Sequence, residues 1–272
     1  MTIALLSIPS PSSNAFDLGP LVFHYYGILM GVAVLVGFAI TTRRYERFGG
    51  DAQQLERILL WVIAIGFLGA RFAFISTRLP RYSGRPWAVL YLWEGGIAMF
   101  GGLTVGAIAA VVMLRRSGQG FWKFFDAVAL GLPIAQAIAR WGNYMNQELF
   151  GTPTELPWAL EIDPAHRPSQ YSAAETFHPT FLYESLWNLF IIVPALLWLE
   201  RRGKLPRGAL LGVYFVLYGI IRFLNELLRT DTSFRFLGLS KNGWVSIAAA
   251  LIGFGIVVAR RRATTGASSL QS

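Results

Sequence analysis

An apolar segment near the end of the chain carries a stripe of polar residues. Spacings of four, four and three residues place on one helical face the side chains of Tyr218, Arg222, Glu226 and Arg229. Charges inside an apolar helix are costly, and each needs a partner or a polar cavity. A guanidinium binds phosphate through two parallel hydrogen bonds. The stripe therefore predicts an anion pocket near the outer membrane surface, with a buried Arg222–Glu226 pair that only joins helices as the alternative.

A second polar run, residues 140–151, follows another apolar segment. Arg140, Asn143 and Gln147 share a face if the helix continues, and Gly151 permits a turn or a close backbone approach. Amides, a carboxylate and a guanidinium at a helix end do not pack well against apolar side chains. They can instead form hydrogen bonds with a polar lipid head group. An ordinary interfacial helix end is the alternative.

A third run places a carboxylate inside the membrane. Glu184 lies six residues after His178, within a predicted span. A buried carboxylate is expected to pair with an arginine from another helix. The sequence offers three candidates without choosing between them, namely Arg140, Arg222 and Arg71.

Two shorter runs complete the set of candidate residues. His24 and Tyr26 stand at the outer start of the first apolar segment, where an aromatic belt at the membrane surface would also explain them. Glu94 precedes the pair Gly95-Gly96, and Gly101-Gly102 follows further on. Paired glycines let a ligand or a neighbouring helix come close.

The elements that position these side chains are predicted to be transmembrane helices. The 272 residues are 54% hydrophobic and 14% charged, whereas soluble domains are about a quarter charged. The chain has no Cys, which excludes disulfides, thiolate metal sites and a cysteine nucleophile. Seven apolar segments of sufficient length lie near 22–41, 57–77, 93–114, 121–140, 179–199, 208–228 and 243–259. Turn-rich residues 141–178 predict a small irregular head.

The net charge of +9 is interpreted as membrane topology, and nucleic-acid binding is not expected. Basic clusters follow alternate spans, at 43–47, 115–116, 201–207 and 260–262, with 78–85 as an exception. Basic loops face the cytoplasm, so the N-terminus is expected outside and the C-terminus inside. Residues 1–262 are expected to form one transmembrane domain, and 263–272 a disordered cytoplasmic tail.

The runs together resemble the prolipoprotein diacylglyceryl transferase family over nearly the whole chain. Residues 140–151 are similar to its signature, G-R-x-G-N-F-x-N-x-E-x-x-G, with Ala139 in place of the first Gly and Tyr144 in place of the Phe. The runs 178–184 and 218–229 also match. The resemblance implies an all-α polytopic membrane protein of the bacterial plasma (inner) membrane, with seven transmembrane helices and a periplasmic head.

The resemblance also implies a reaction. The diacylglyceryl group of phosphatidylglycerol would pass to the lipobox cysteine thiol of a preprolipoprotein, and glycerol phosphate would leave. Arg140 and Arg222 would be catalytic and would hold the phosphate. The substrate site would further include Asn143, Glu148, Gly151, Tyr26, Tyr218 and Glu226. Supporting roles would fall to His24, Glu184, His178, Arg71, Glu94 and Arg229. No metal or cofactor is expected.

One position departs from the family pattern. Many members carry a histidine between the two glycine pairs, and this chain has Phe100 there. A general-base histidine at that position is therefore excluded. Either another group takes the proton, with Glu148, His24 and His178 as candidates, or a cationic site favours the thiolate without a base.

Two other functions remain open on the sequence alone. In a transporter or channel, charged residues would form an ion or proton path, and these would be Arg222, Glu226, Glu184 and Asp126. A non-enzymatic lipid-binding subunit would need the same head-group pocket but no route for an acceptor. Most of the charged residues collect toward one side of the membrane, which favours the transferase.

Overall fold

The computed structural model describes residues 7–91, 96, 98–118, 120–230 and 235–269. The helices are α1 (Tyr25–Arg47), α2 (Ala52–Ser76), α3 (Met99–Arg116), α4 (Phe121–Met145), α5 (Thr180–Trp187), α6 (Val193–Arg202), α7 (Ala209–Leu228) and α8 (Lys241–Ser269). Three short antiparallel pairs join β1 (Ala15–Leu18) to β2 (Leu21–His24), β3 (Leu160–Glu161) to β4 (Thr176–Phe177), and β5 (Arg235–Phe236) to β6 (Leu239–Ser240).

The predicted class, an all-α polytopic membrane protein, is confirmed. Within the described residues, six helical segments are long and apolar enough to cross a membrane: α1, α2, α4, α7, α8 and the continuous segment Thr180–Arg202. That last segment contains α5, a π-helical turn and α6. The span predicted near 93–114 corresponds to α3, which is not among the six. The count of seven therefore stays a prediction.

Residues 42–124 form one compact unit, in which α2 packs closely along α3. Glycines on α3 permit this approach, since a Cβ at Gly101 would lie 2.2 Å from the Cβ of Ala73. A Cβ at Gly102 would likewise lie 3.1 Å from the carbonyl oxygen of Gly66. The glycine pair at 101–102 is thus used for helix packing in this unit.

The other residues form the second compact unit, which contains α5 to α8 and most of α4. α7 and α8 pack tightly because small residues face each other, and a Cβ at Gly253 would lie 2.4 Å from the carbonyl oxygen of Gly212. Asp126 is buried near the start of α4, where its carboxylate accepts hydrogen bonds from the backbone N–H groups of Gly208 and Leu210. This acid therefore satisfies free amides at the start of α7.

The segment predicted to form an irregular head is a compact layer of loops. Its core consists of Phe150, Leu160, Ile162, Phe177 and Phe181. The side chain of Gln147 is bonded to both the side chain and the backbone N–H of Asp163. Hydrogen bonds from Gln147 and Ser10 hold the pKa of Asp163 below its usual value. Ser10, near the N-terminus, is thereby hydrogen-bonded to this layer.

The prediction of disorder from residue 263 is wrong for 263–269, because α8 continues through Ser269. The hydroxyls of Thr264 and Thr265 donate to the carbonyls of Arg260 and Arg261, one turn earlier. Extending a formed helix avoids the nucleation cost that a short separate helix would pay. Residues 270–272 lie outside the described part of the chain.

Candidate functional site

The centre of the site is an ion pair between two membrane helices. Arg140, near the end of α4, places its Nη2 atom 2.7 Å from Oε1 of Glu184, in the first turns of α5. The Glu184 side chain is only 2% exposed, and its other oxygen accepts a hydrogen bond of 3.4 Å from Asn225 on α7. Of the three arginines that the sequence offered as partners for Glu184, the structure selects Arg140.

Arg140 is also the first member of a polar chain that leads to the surface. Its Nη1 donates to Oδ1 of Asn143 at 3.1 Å, and Nδ2 of Asn143 donates to Glu148 at 2.8 Å. Asn143 is buried, whereas Glu148 is exposed. The amide thus connects a guanidinium inside the site with a carboxylate at its edge, as the helical spacing of Arg140 and Asn143 predicted.

A tyrosine on α7, Tyr218, also contacts the guanidinium of Arg140. The Tyr218 hydroxyl is hydrogen-bonded to Arg140, and the ring of Tyr218 stacks on that of Tyr214 at a centroid distance of 5.7 Å. The Tyr214 hydroxyl in turn donates to Gln136 at 2.9 Å. Arg140 is therefore held from three helices, namely α4, α5 and α7.

The polar stripe predicted on α7 is present. Nη2 of Arg222 lies 3.1 Å from Oε2 of Glu226, and Nε of Arg229 lies 3.9 Å from the same oxygen. The other oxygen of Glu226 accepts a hydrogen bond of 2.6 Å from the hydroxyl of Ser240, which precedes α8. No spacing in the sequence pointed to Ser240, because the contact depends on how β5 and β6 fold back toward α7.

The two groups of charges meet at a small polar cleft. Its lining residues are Arg140, Asn143, Leu149, Thr180, Phe181, Glu184, Arg222, Asn225 and Arg229. Three guanidiniums line it, and two carboxylates, Glu184 and Glu226, pair with them. Inside the cleft these charges leave an excess of one positive charge, and the carboxylate of Glu148 lies at its exposed edge. The predicted Arg222–Glu226 pair is thus present, and anion binding in the cleft stays a prediction.

The loop after α4 forms one wall of this cleft. Gln147 and Leu149 have φ angles of 50° and 60°, and the Thr180 hydroxyl donates to the Leu149 carbonyl. The N–H of Gly151 donates to the carbonyl of His178 at 2.9 Å. A Cβ at Gly151 would lie 2.8 Å from the Cβ of His178, so the close approach predicted for this glycine is real.

Three other predicted residues do not line the cleft, namely Tyr26, His178 and His24. The ring of Tyr26 packs on Gly142, where a Cβ would come within 2.8 Å of it. Nδ1 of His178 lies 3.1 Å from the Tyr183 hydroxyl, and burial lowers the pKa of this histidine. His24 is exposed on β2.

Three more predicted positions remain to be placed. Two of them, Arg71 and Phe100, belong to the unit formed by residues 42–124. Arg71 is buried, and its guanidinium donates to the backbone carbonyls of Ala88, Val89, Tyr91 and Gly96. It therefore stabilises the segment before α3. Phe100 is half exposed on α3 and has no group that accepts a proton. Glu94 lies outside the described residues.

Four lining residues were not among the predicted site residues, namely Leu149, Thr180, Phe181 and Asn225. Asn225 flanks the α7 stripe, so the helical spacing already pointed to it. Thr180 and Leu149 line the cleft because the turns at 149 and 179 bring the loop onto α5. No spacing rule applies to such turns, and the sequence alone could not find these two.

Comparison with known proteins places this chain among lipoprotein-modifying enzymes. It matches the family model described as prolipoprotein diacylglyceryl transferase over residues 13–259. It is 40% identical over 246 residues to phosphatidylglycerol–prolipoprotein diacylglyceryl transferase 2 of Streptomyces coelicolor, covering 89% of this chain and 77% of that protein. It is 42% identical over 232 residues to the enzyme named phosphatidylglycerol–prolipoprotein diacylglyceryl transferase in Cutibacterium acnes, covering 84% and 78%. On these matches, the chain belongs to the prolipoprotein diacylglyceryl transferase family.

Proposed function

We propose that this protein transfers the diacylglyceryl group of phosphatidylglycerol to the cysteine thiol in the lipobox of a preprolipoprotein. The observation that carries the proposal is the cleft, in which Arg140 from α4 and Arg222 from α7 line one polar space. The names of the relatives specify the same donor and the same class of acceptor. A multi-pass membrane protein has direct access to a phospholipid donor.

The reaction makes one bond and breaks one bond. The cysteine sulfur attacks the glycerol carbon that bears the phosphate, and a C–S thioether bond forms. The C–O bond to the phosphate breaks, and its electron pair stays on the oxygen of the departing glycerol phosphate. The thiol proton passes to solvent or to the departing phosphate.

The arginines act on the oxygen that gains charge. As the C–O bond breaks, negative charge grows on the phosphate, and guanidiniums fixed beforehand stabilise it without reorganising. Arg140 is held by Glu184, Asn143 and Tyr218, and Arg222 by Glu226. The same positive excess favours the thiolate form of an approaching cysteine, whose ordinary pKa is about 8.5.

A direct assay tests this proposal. The purified protein, in micelles that contain phosphatidylglycerol, is expected to add one diacylglyceryl group to a synthetic lipobox peptide, detected by mass spectrometry. Glycerol phosphate should appear in equal amount. A peptide with Ser in place of the Cys is the control, and it should stay unmodified. An unmodified cysteine peptide in the presence of active lipid would contradict the proposal.

We also infer that the cleft faces the outer side of the membrane. The backbone carbonyl of Arg207 accepts a hydrogen bond of 2.8 Å from Arg260, so two basic clusters meet at the same end of this unit. Arg140 and Glu226 lie toward the opposite ends of α4 and α7. Basic clusters favour the cytoplasm. A periplasm-only reporter fused after Ser272 should therefore stay silent, and a strong signal would reverse the orientation.

A further inference from the structure

We infer that Ser240 is a positioning residue for the phosphate-binding cation Arg222, and that it acts through Glu226. The inference rests on the proposed function, because it assigns Arg222 to the donor phosphate. Ser240 itself does not line the cleft. Its hydroxyl would set the orientation of the carboxylate that holds the guanidinium in place.

The two oxygens of Glu226 have different partners, with Ser240 on one oxygen and Arg222 and Arg229 on the other. Oε1 accepts from the Ser240 hydroxyl at 2.6 Å, and Oε2 lies 3.1 Å from Nη2 of Arg222. Glu226 and Ser240 are both buried. A hydrogen bond to a buried charged group is among the stronger ones in proteins, and here it fixes the rotation of the carboxylate.

The direction of the Ser240 hydrogen bond follows from its second contact. The N–H of Gly243 donates to Oγ of Ser240 at 3.0 Å, in the first turn of α8. A hydroxyl has one proton, and an oxygen that accepts from Gly243 still has that proton to give. Ser240 therefore donates to Glu226 while it caps α8. The start of α8 and the cation on α7 are coupled through one side chain.

Packing alone does not hold Glu226 in this orientation. An open pocket lies beside it, and its lining residues are Phe223, Glu226, Leu227, Gly238, Leu239, Ser240 and Gly243. Without the hydroxyl, the carboxylate has space in which to rotate away from Arg222. Arg222 would then lose its fixed position at the cleft, and phosphate binding would weaken.

The test compares matched removals of buried hydroxyls. Ser240→Ala is expected to lower kcat/KM for phosphatidylglycerol about tenfold, which corresponds to about 1.4 kcal/mol. Ser240→Thr keeps a hydroxyl and should recover most of the activity. Ser246→Ala is the control, because Ser246 is also buried on α8 but donates only to the backbone carbonyl of Asn242. This variant should retain activity close to that of the wild type.

A binding measurement separates positioning from folding. Phosphatidylglycerol should raise the Tm of the wild type above its value in phosphatidylcholine micelles, since a ligand that binds the native state stabilises it. Loss of the helix cap in Ser240→Ala lowers Tm in both lipids alike. Loss of positioning instead reduces the increment, which is the rise in Tm from phosphatidylcholine to phosphatidylglycerol. Glycine is nearly as good as serine at the N-cap of a helix, so Ser240→Gly covers the case in which the alanine variant does not fold.

The outcomes are distinct. If Ser240→Ala and Ser240→Gly keep the wild-type increment and the activity of Ser246→Ala, the positioning role is overturned. If the wild type transfers no lipid, the proposed function fails, but the phosphatidylglycerol increment in the Ser240 variants still tests the link to Arg222. A smaller increment in both variants, with recovery in Ser240→Thr, supports the inference.

Discussion

Replacement of Arg140 by alanine is expected to reduce lipid transfer about 10²- to 10³-fold. One donor that is fixed against a developing negative charge typically contributes about 3 to 4 kcal/mol to the transition state. Arg140 lines the cleft and is held by Glu184, Asn143 and Tyr218, so no neighbouring cation takes its place without rebuilding these contacts. Transfer rates on a lipobox peptide measure the effect.

A second effect of the same substitution must be separated from the first. Arg140→Ala leaves Glu184 buried without its ion-pair partner, which typically costs about 3 to 5 kcal/mol of stability. The double variant Arg140→Gln/Glu184→Gln removes both charges and keeps two hydrogen-bonding side chains. We expect it to recover much of the Tm but none of the transfer rate.

Arg140→Lys provides the control for charge. A lysine keeps the positive charge near Glu184 but lacks the planar fork that binds two phosphate oxygens. We expect its Tm to lie close to that of the wild type and its rate to stay at least tenfold lower. Wild-type rates in either the lysine or the double glutamine variant would remove Arg140 from the reaction.

Much of the fold could be predicted because it depends on composition and local spacing. Long apolar segments predicted the membrane helices, and the four-residue spacing of Arg222 and Glu226 predicted their contact on α7. The same rule joined Arg140 to Asn143. Local periodicity is set by helix geometry, which the sequence expresses directly. The family resemblance is confirmed as well.

The remaining features depend on tertiary structure. Glu184 had three possible arginine partners, and only the packing of α4 against α5 selects Arg140. Ser240 reaches Glu226 because a turn with Leu237 and Gly238 at positive φ reverses the chain before α8. The tail was predicted to be disordered from residue 263, yet α8 continues through Ser269. A helix already formed overrides weak local preferences.

The structure also separates two roles for arginine in an apolar chain. Arg140 and Arg222 are paired with carboxylates and also line a polar cleft. Arg71 directs its donors at main-chain carbonyls. We therefore take a buried arginine as a sign of function when it lines a cleft, and as a structural residue when its N–H groups bind main-chain carbonyls. This distinction leads to a separate prediction for Arg71.

Arg71→Ala is expected to lower the stability of the protein more than any other single arginine replacement discussed above. Its Nε, Nη1 and Nη2 atoms donate to four carbonyls at 2.8 to 3.2 Å, and these belong to Ala88, Val89, Tyr91 and Gly96. A buried acceptor that loses its partner costs about 1 to 3 kcal/mol. The Ala88 carbonyl keeps a hydrogen bond from the N–H of Tyr91, so the loss falls mainly on the carbonyls of Val89, Tyr91 and Gly96. Their sum is a large part of the stability of a typical domain.

Thermal unfolding in micelles, with limited proteolysis of residues 78–91, measures this loss. Arg71→Lys should not rescue the protein, because one compact ammonium with three donors cannot reach four carbonyls that a planar guanidinium spans. Arg57→Ala is the matched control, since Arg57 is exposed on the same helix and should change stability by no more than about 0.5 kcal/mol. If Arg71→Ala and Arg57→Ala unfold at the same temperature, the carbonyl contacts of Arg71 do not stabilise this segment, and Arg71 returns to the set of candidate functional residues.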